Sequence, residues 1–159
     1  MGLMFDHEKL EVYQLELRFV TWVTPFLADV KKAGGALVRE ACDHLDRGSL
    51  SALFNTAEGN GKRQRQVRAK FFDDARGSAG ECAACLDALV AKGACPAQQV
   101  SEGKEMLVRI AQMLAKLVQR YSASDRVRED ELEYGVRGID EDKGEEEFEN
   151  DDDDEDDDD

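Results

Sequence analysis

The sequence predicts an all-α fold, an antiparallel up-down-up-down four-helix bundle (residues 1–121) followed by a disordered acidic C-terminal tail (residues 122–159). Three observations carry this expectation. Proline occurs only at positions 25 and 96 and β-branched runs are absent, so long helices are permitted. Breaks fall at regular intervals, at Gly34-Gly35, at Gly59-Asn60-Gly61 and at Gly93 with Pro96, and glycine or proline is how helices stop. Between the breaks, apolar residues return with the period of a helix face.

The segments so defined run roughly over 7–32, 36–57, 63–92 and 97–121. The first carries two apolar stripes. Leu10, Tyr13, Leu17, Val20, Thr24 and Leu27 form one, and Leu15, Phe19, Trp22, Phe26 and Val30 form the other. A bundle helix needs one stripe of about 100°. The surplus predicts an oligomer, with Leu15, Phe19, Trp22 and Phe26 buried against another subunit. Pro25 removes a backbone donor and is expected to kink this helix. The third segment repeats Val67, Phe71, Ala75, Cys82, Leu86 and Leu89, weakened by Asp74 and Gly80. The fourth repeats Val100, Leu107, Ile110, Leu114, Leu117 and Tyr121. Short connections make sequential helices antiparallel neighbours.

Charge separates the chain in two. Residues 122–159 hold 21 Asp/Glu against 4 Lys/Arg, a net of −17, whereas residues 1–121 hold 15 against 17, a net of +2. A like-charged run repels itself and buries no apolar surface, hence the expected disorder. No apolar run approaches the eighteen or so residues of a membrane span. The start MGLMFDHEKL turns polar at once, and four cysteines without an export signal are read as reduced thiols in a cytoplasm.

The stretch AEGNGKRQRQVRAKFF places Lys62, Arg63, Arg65, Arg68 and Lys70 within nine positions at the start of the third segment. Helix N-termini prefer acidic residues, so local stability does not explain this basic start. A phosphate-cradling loop is excluded, because Thr56 stands where its first glycine belongs and Arg63 where Ser or Thr does. The glycines are expected instead to supply the left-handed turn that ends the second helix. The five basic residues form a patch suited to phosphate backbone, with salt-dependent and sequence-independent binding. No aromatic is interleaved for base stacking. RNA or single-stranded DNA, or a nucleic-acid-processing protein, is the expected partner. A module that docks an acidic protein through the same patch is the alternative.

Arg47, Asn55, Glu58, Arg76, Ser78 and Glu81 flank the same turn and are read as a structural polar network. Glu58 and Glu81 would make an acid–base pair, but neither nucleophile nor histidine accompanies them, so no catalytic residues are assigned. Cys82-x-x-Cys85 with Cys42 and His44 lies mid-helix in Ala-rich sequence, not on a zinc knuckle, so neither metal nor cofactor is expected.

Several of these stretches resemble one family. "FDHEKLEVYQLELRF", "LDRGSLSALFNTAEGNGKR" and "KFFDDARGSAGECAACLDAL" are similar to the small bacterial four-helix-bundle proteins first noticed as products of intervening sequences in 23S ribosomal RNA genes. The matching positions are Arg47, Ser51, Asn55, Glu58, Gly59, Gly61, Phe71, Ala75, Gly77, Ser78 and Glu81. The accessory proteins of diversity-generating retroelements are more distantly similar. The resemblance implies a homopentamer of four-helix bundles without enzymatic activity, binding nucleic acid or a nucleic-acid-processing partner. The chain departs from the pattern at Gly48, Ala52, Thr56, Asp74 and Gly80, where packing is expected to be lost.

Overall fold

The computed structural model describes residues 2–123; the expected disordered tail lies outside the described residues from 124 onward. A 3-10 turn, Asp6–Lys9, leads into α1, Glu11–Gly34. A second 3-10 turn, Gly35–Leu37, connects to α2, Arg39–Gly61. Then follow α3, Arg65–Ala91, and α4, Ala97–Ser122. Among the described residues there is no strand. α1 continues unbroken through Pro25, which lies on its exposed side.

Side-chain pairs show that successive helices run antiparallel. Thr56 and Asp43 of α2 meet Glu16 and Lys31 of α1 in reverse order. Ser51 meets Ser78 and His44 meets Glu81 between α2 and α3. Asp87 and Arg65 of α3 meet Lys104 and Arg120 of α4. Phe19, Val23, Leu45, Phe72, Leu86, Leu89, Ile110 and Leu114 fill the common core.

α2 runs four residues past its expected end. Gly59 and Gly61 are helical, and only Gly35 and Gly93 among the described residues adopt positive φ. The glycines do not supply a left-handed turn; Gly59 lets two helices approach closely. A Cβ there would stand 2.9 Å from Phe71 Cβ and 3.2 Å from a Phe72 ring atom, which is overlap in a close-packed interior.

The second stripe of α1 is assigned the other way round. Leu15, Phe19 and Phe26 are buried in the bundle's own core, with Val30 beside them. Trp22 is half-buried, stacks between Phe19 and Phe26 (ring centroids 5.8 and 5.0 Å) and packs over Gly103 of α4. Leu15, Phe19 and Phe26 are therefore not free to be buried against another subunit, because the bundle's own core consumes them, whereas Trp22 keeps part of its surface exposed. The other stripe is divided: Leu27 joins the core, Leu10, Tyr13 and Val20 are half-buried, and Leu17 and Thr24 are exposed.

The departures at Asp74 and Gly80 lose no packing, since both are exposed and Asp74 pairs with Lys70 at 2.9 Å. Gly48 makes room for the Cys82 thiol, 2.9 Å from where a Cβ would lie. Thr56 is fully buried and donates to Glu16 Oε1 at 2.7 Å.

Candidate nucleic-acid interface

The basic stretch spans the connection between α2 and α3, and its five residues separate into three chemical situations. Lys62 pairs with Glu58 (2.7 Å) and Lys70 with Asp74 (2.9 Å), each one helical turn away. Both ammonium groups also lie over the Phe71 ring, at 5.2 and 5.9 Å. Exposed i,i+4 pairs of this kind are worth only a few tenths of a kcal/mol, yet they reduce the local positive field.

Arg68 is structural. Its Nη2 donates to Asn60 O (2.6 Å) and its Nε to Lys62 O (3.1 Å), satisfying carbonyls that a helix end leaves free. Its Nη1 donates to the Tyr121 hydroxyl at 3.2 Å. Arg65 Nη2 donates to Arg120 O at 2.6 Å, capping the last turn of α4, while its Nε is buried without an acceptor among the described residues. Arg63 is exposed and has no ion-pair or hydrogen-bond partner among the described residues.

An aromatic does stand within the patch, contributed by α4 rather than by the stretch itself. The guanidinium carbons of Arg65, Arg68 and Arg120 lie 5.2, 4.9 and 5.6 Å from the centroid of Tyr121. Such contacts add roughly 0.5–1 kcal/mol each at exposed sites. Arg120 and Tyr121 were not among the residues expected here. They lie more than fifty positions downstream, and only α3–α4 packing brings them in.

The expected polar network forms in part. Asn55 Nδ2 donates to Ser51 O (2.9 Å) and Ser51 Oγ (3.2 Å), and Ser51 Oγ meets Ser78 Oγ at 2.9 Å. Ser78 in turn donates to Asp74 O at 3.1 Å. The charged members stay outside it. Glu58 turns to Lys62, Arg76 to Asp73 (3.0 Å) and Glu81 to His44 (3.7 Å), all on the surface, while exposed Arg47 joins no pair among the described residues. Glu81 lies opposite His44, fourteen residues before Glu58 on α2, or about 20 Å along the helix. The two carboxylates are therefore not neighbours, because α2 and α3 run in opposite directions.

Cys42 and Cys82 are fully buried, and burial pushes the Cys82 thiol up to about 12. Cys85 lines an open cleft of about 400 Å³ with Glu40, His44, Glu81 and Lys92. Among the described residues no three His, Cys, Asp or Glu side chains form a metal-binding group. No described helix is long and apolar enough to cross a membrane.

Glu16 is a further residue that the stripe pattern conceals. It is 2% exposed, one oxygen accepts from Thr56, and the other has no partner among the described residues. Burial pushes its carboxyl up to about 8, against the lowering effect of the Thr56 hydroxyl. Its signal is present in the sequence: an acid at position 16 interrupts the spacing Val12, Leu15, Phe19, Val23.

The sequence profile of the 23S rRNA-intervening sequence protein family matches residues 8–116. The chain belongs to this family. No curated protein matches it. As a 23S rRNA-intervening sequence protein, the chain shares with the family profile the stretch that carries Arg63, Arg65 and Arg68. The match stops before Arg120 and Tyr121, so half of the arginine–tyrosine cluster comes from outside it.

Proposed function

We propose that this protein is a non-enzymatic, homo-oligomeric helical scaffold that binds nucleic acid through the α2–α3 end of its bundle. The observation that carries the reading is the cluster of Arg65, Arg68 and Arg120 with exposed Arg63 beside it, none of which is ion-paired with a carboxylate among the described residues. Four uncompensated guanidinium groups at one end of a bundle attract phosphate oxygens regardless of base sequence. With three phosphate contacts, affinity for a single strand falls about 20-fold between 50 and 200 mM salt. Arg63→Glu is the informative variant, since Arg63 supports no helix end. Fluorescence anisotropy with a labelled single-stranded RNA is expected to show at least tenfold weaker binding for it. Equal affinity in wild type and variant across a salt titration removes this interface.

Self-association is supported by the apolar surface that folding leaves over. Phe54 is 62% exposed, and Leu50 of α2 and Leu17 of α1 are exposed as well. Phe54→Glu is expected to give smaller species by light scattering with unchanged helical circular dichroism. A wild type that is already monomeric at micromolar concentration refutes the oligomer.

A further inference from the structure

We propose that Arg65, Arg68 and Arg120, gathered around Tyr121, form a site for one terminal phosphomonoester of a nucleic-acid strand. The inference rests on the nucleic-acid reading and narrows it from a charged surface to a point of attachment.

Convergence is the first argument. All three guanidinium carbons lie within 5.6 Å of a single ring centroid. Cations gathered around one ring make a compact cluster, whereas a groove that follows a backbone spreads them in a row. The lysines that would extend the row, Lys62 and Lys70, are engaged by Glu58 and Asp74.

Charge is the second. Glu58, Asp73 and Asp74 all lie nearby in sequence, and each pairs with another cation, leaving the cluster without a carboxylate among the described residues. Three like charges held together repel one another unless an anion joins them. α3, a 27-residue helix, starts at Arg65 with no acid in its first turn and no side-chain cap from Gln64. Its unsatisfied N–H groups and its dipole add positive potential at the same end.

Donor supply is the third. A guanidinium has five N–H groups. Arg68 donates three hydrogen bonds and Arg65 one. Exposed Arg120 donates none among the described residues, and the buried Arg65 Nε lacks an acceptor. A buried donor left unpaired is destabilising, and a turn of the Arg65 guanidinium toward an arriving phosphate oxygen would relieve it. The carbonyl of Arg120 opposes part of this field, yet it occupies only one of the Arg65 donors.

A monoester suits the site better than a diester for a reason of charge. It loses its second proton near pH 6 and then carries nearly two charges with three acceptor oxygens. A diester offers one charge and two free oxygens. The bidentate geometry of arginine toward phosphate favours the richer acceptor.

The test uses the full chain and one twelve-nucleotide RNA in three forms: 5′-phosphorylated, 3′-phosphorylated, and hydroxyl at both ends. Phosphorylated strands are expected to bind at least ten times more tightly at pH 7.5, with the advantage shrinking toward pH 5.5 as the monoester takes up its second proton. Arg120→Gln, which leaves the α2 cap intact, is expected to erase the advantage, weakening the phosphorylated strands at least ten times more than the hydroxyl strand, without changing circular dichroism. Equal binding of all three strands, each weakened by Arg63→Glu, overturns the monoester site and leaves the nucleic-acid reading standing. A phosphate advantage that survives Arg120→Gln also overturns the site, by placing it elsewhere. Binding of none of the strands overturns both readings. Inorganic phosphate that binds as tightly as the phosphorylated strands makes the ligand a free anion and overturns the assignment to a strand end.

Discussion

At the scale of single residues, Glu16 has the largest consequence for stability. Its carboxyl titrates near 8 in the fold because burial disfavours the charged form, whereas an unfolded glutamate titrates near 4.3. The folded value is the higher one, so the fold is least burdened below about pH 4.3 and loses stability as pH rises toward 8. A tenfold difference in proton affinity between the folded and unfolded chain is worth about 1.4 kcal/mol, which makes the full loss a few kcal/mol. Glu16→Gln keeps an acceptor for Thr56 and removes the ionisation. Urea midpoints of wild type and variant are expected to agree near pH 4.5 and to diverge in favour of the variant up to pH 8. Parallel curves would show that Glu16 does not titrate in this way.

At the scale of helices, two glycines are expected to respond with opposite signs. Gly103 lies under the Trp22 ring, so a Cβ there collides with indole carbons. Gly103→Ala therefore costs roughly 1–3 kcal/mol in overpacking, more than alanine's helix propensity returns. Gly80 is exposed with nothing near its absent Cβ, and Gly80→Ala is expected to stabilise by up to about 1 kcal/mol. Thermal unfolding of the two variants measures both. Helix number and order were legible in the sequence because Gly34-Gly35 and Gly93 with Pro96 do stop helices, and because every segment kept one apolar period. The end of α2 was not, since Gly59 serves close approach to Phe71 and Phe72, a requirement set by a helix not yet placed. Nor was the choice between the stripes of α1, because Leu17 and Phe19 obey the same period and only the neighbouring helices decide which is covered. At the candidate site the local basic residues were legible, while their division into capped, paired and free groups depended on Glu58, Arg120 and Tyr121 arriving from other turns and other helices.

At the scale of the whole molecule, the net −17 of residues 122–159 opposes a polyanion bound anywhere on the same chain. Deleting residues 124–159 is expected to tighten RNA binding severalfold at 50 mM salt and to make little difference above about 0.5 M, where the screening length falls to a few ångströms. An unchanged affinity at low salt would show that this charge does not act on the interface. The integrity of the bundle during the same comparison can be followed by its own fluorescence. The chain has one tryptophan, and Trp22 is stacked between Phe19 and Phe26 against Gly103. The span from Gly103 to Arg120 along α4 is about 25 Å, so its emission is blind to a ligand held by the arginines. It responds only when the first helix lifts from the fourth. A titration that leaves the fluorescence spectrum still while anisotropy rises is a binding event; one in which both change together is the bundle coming apart.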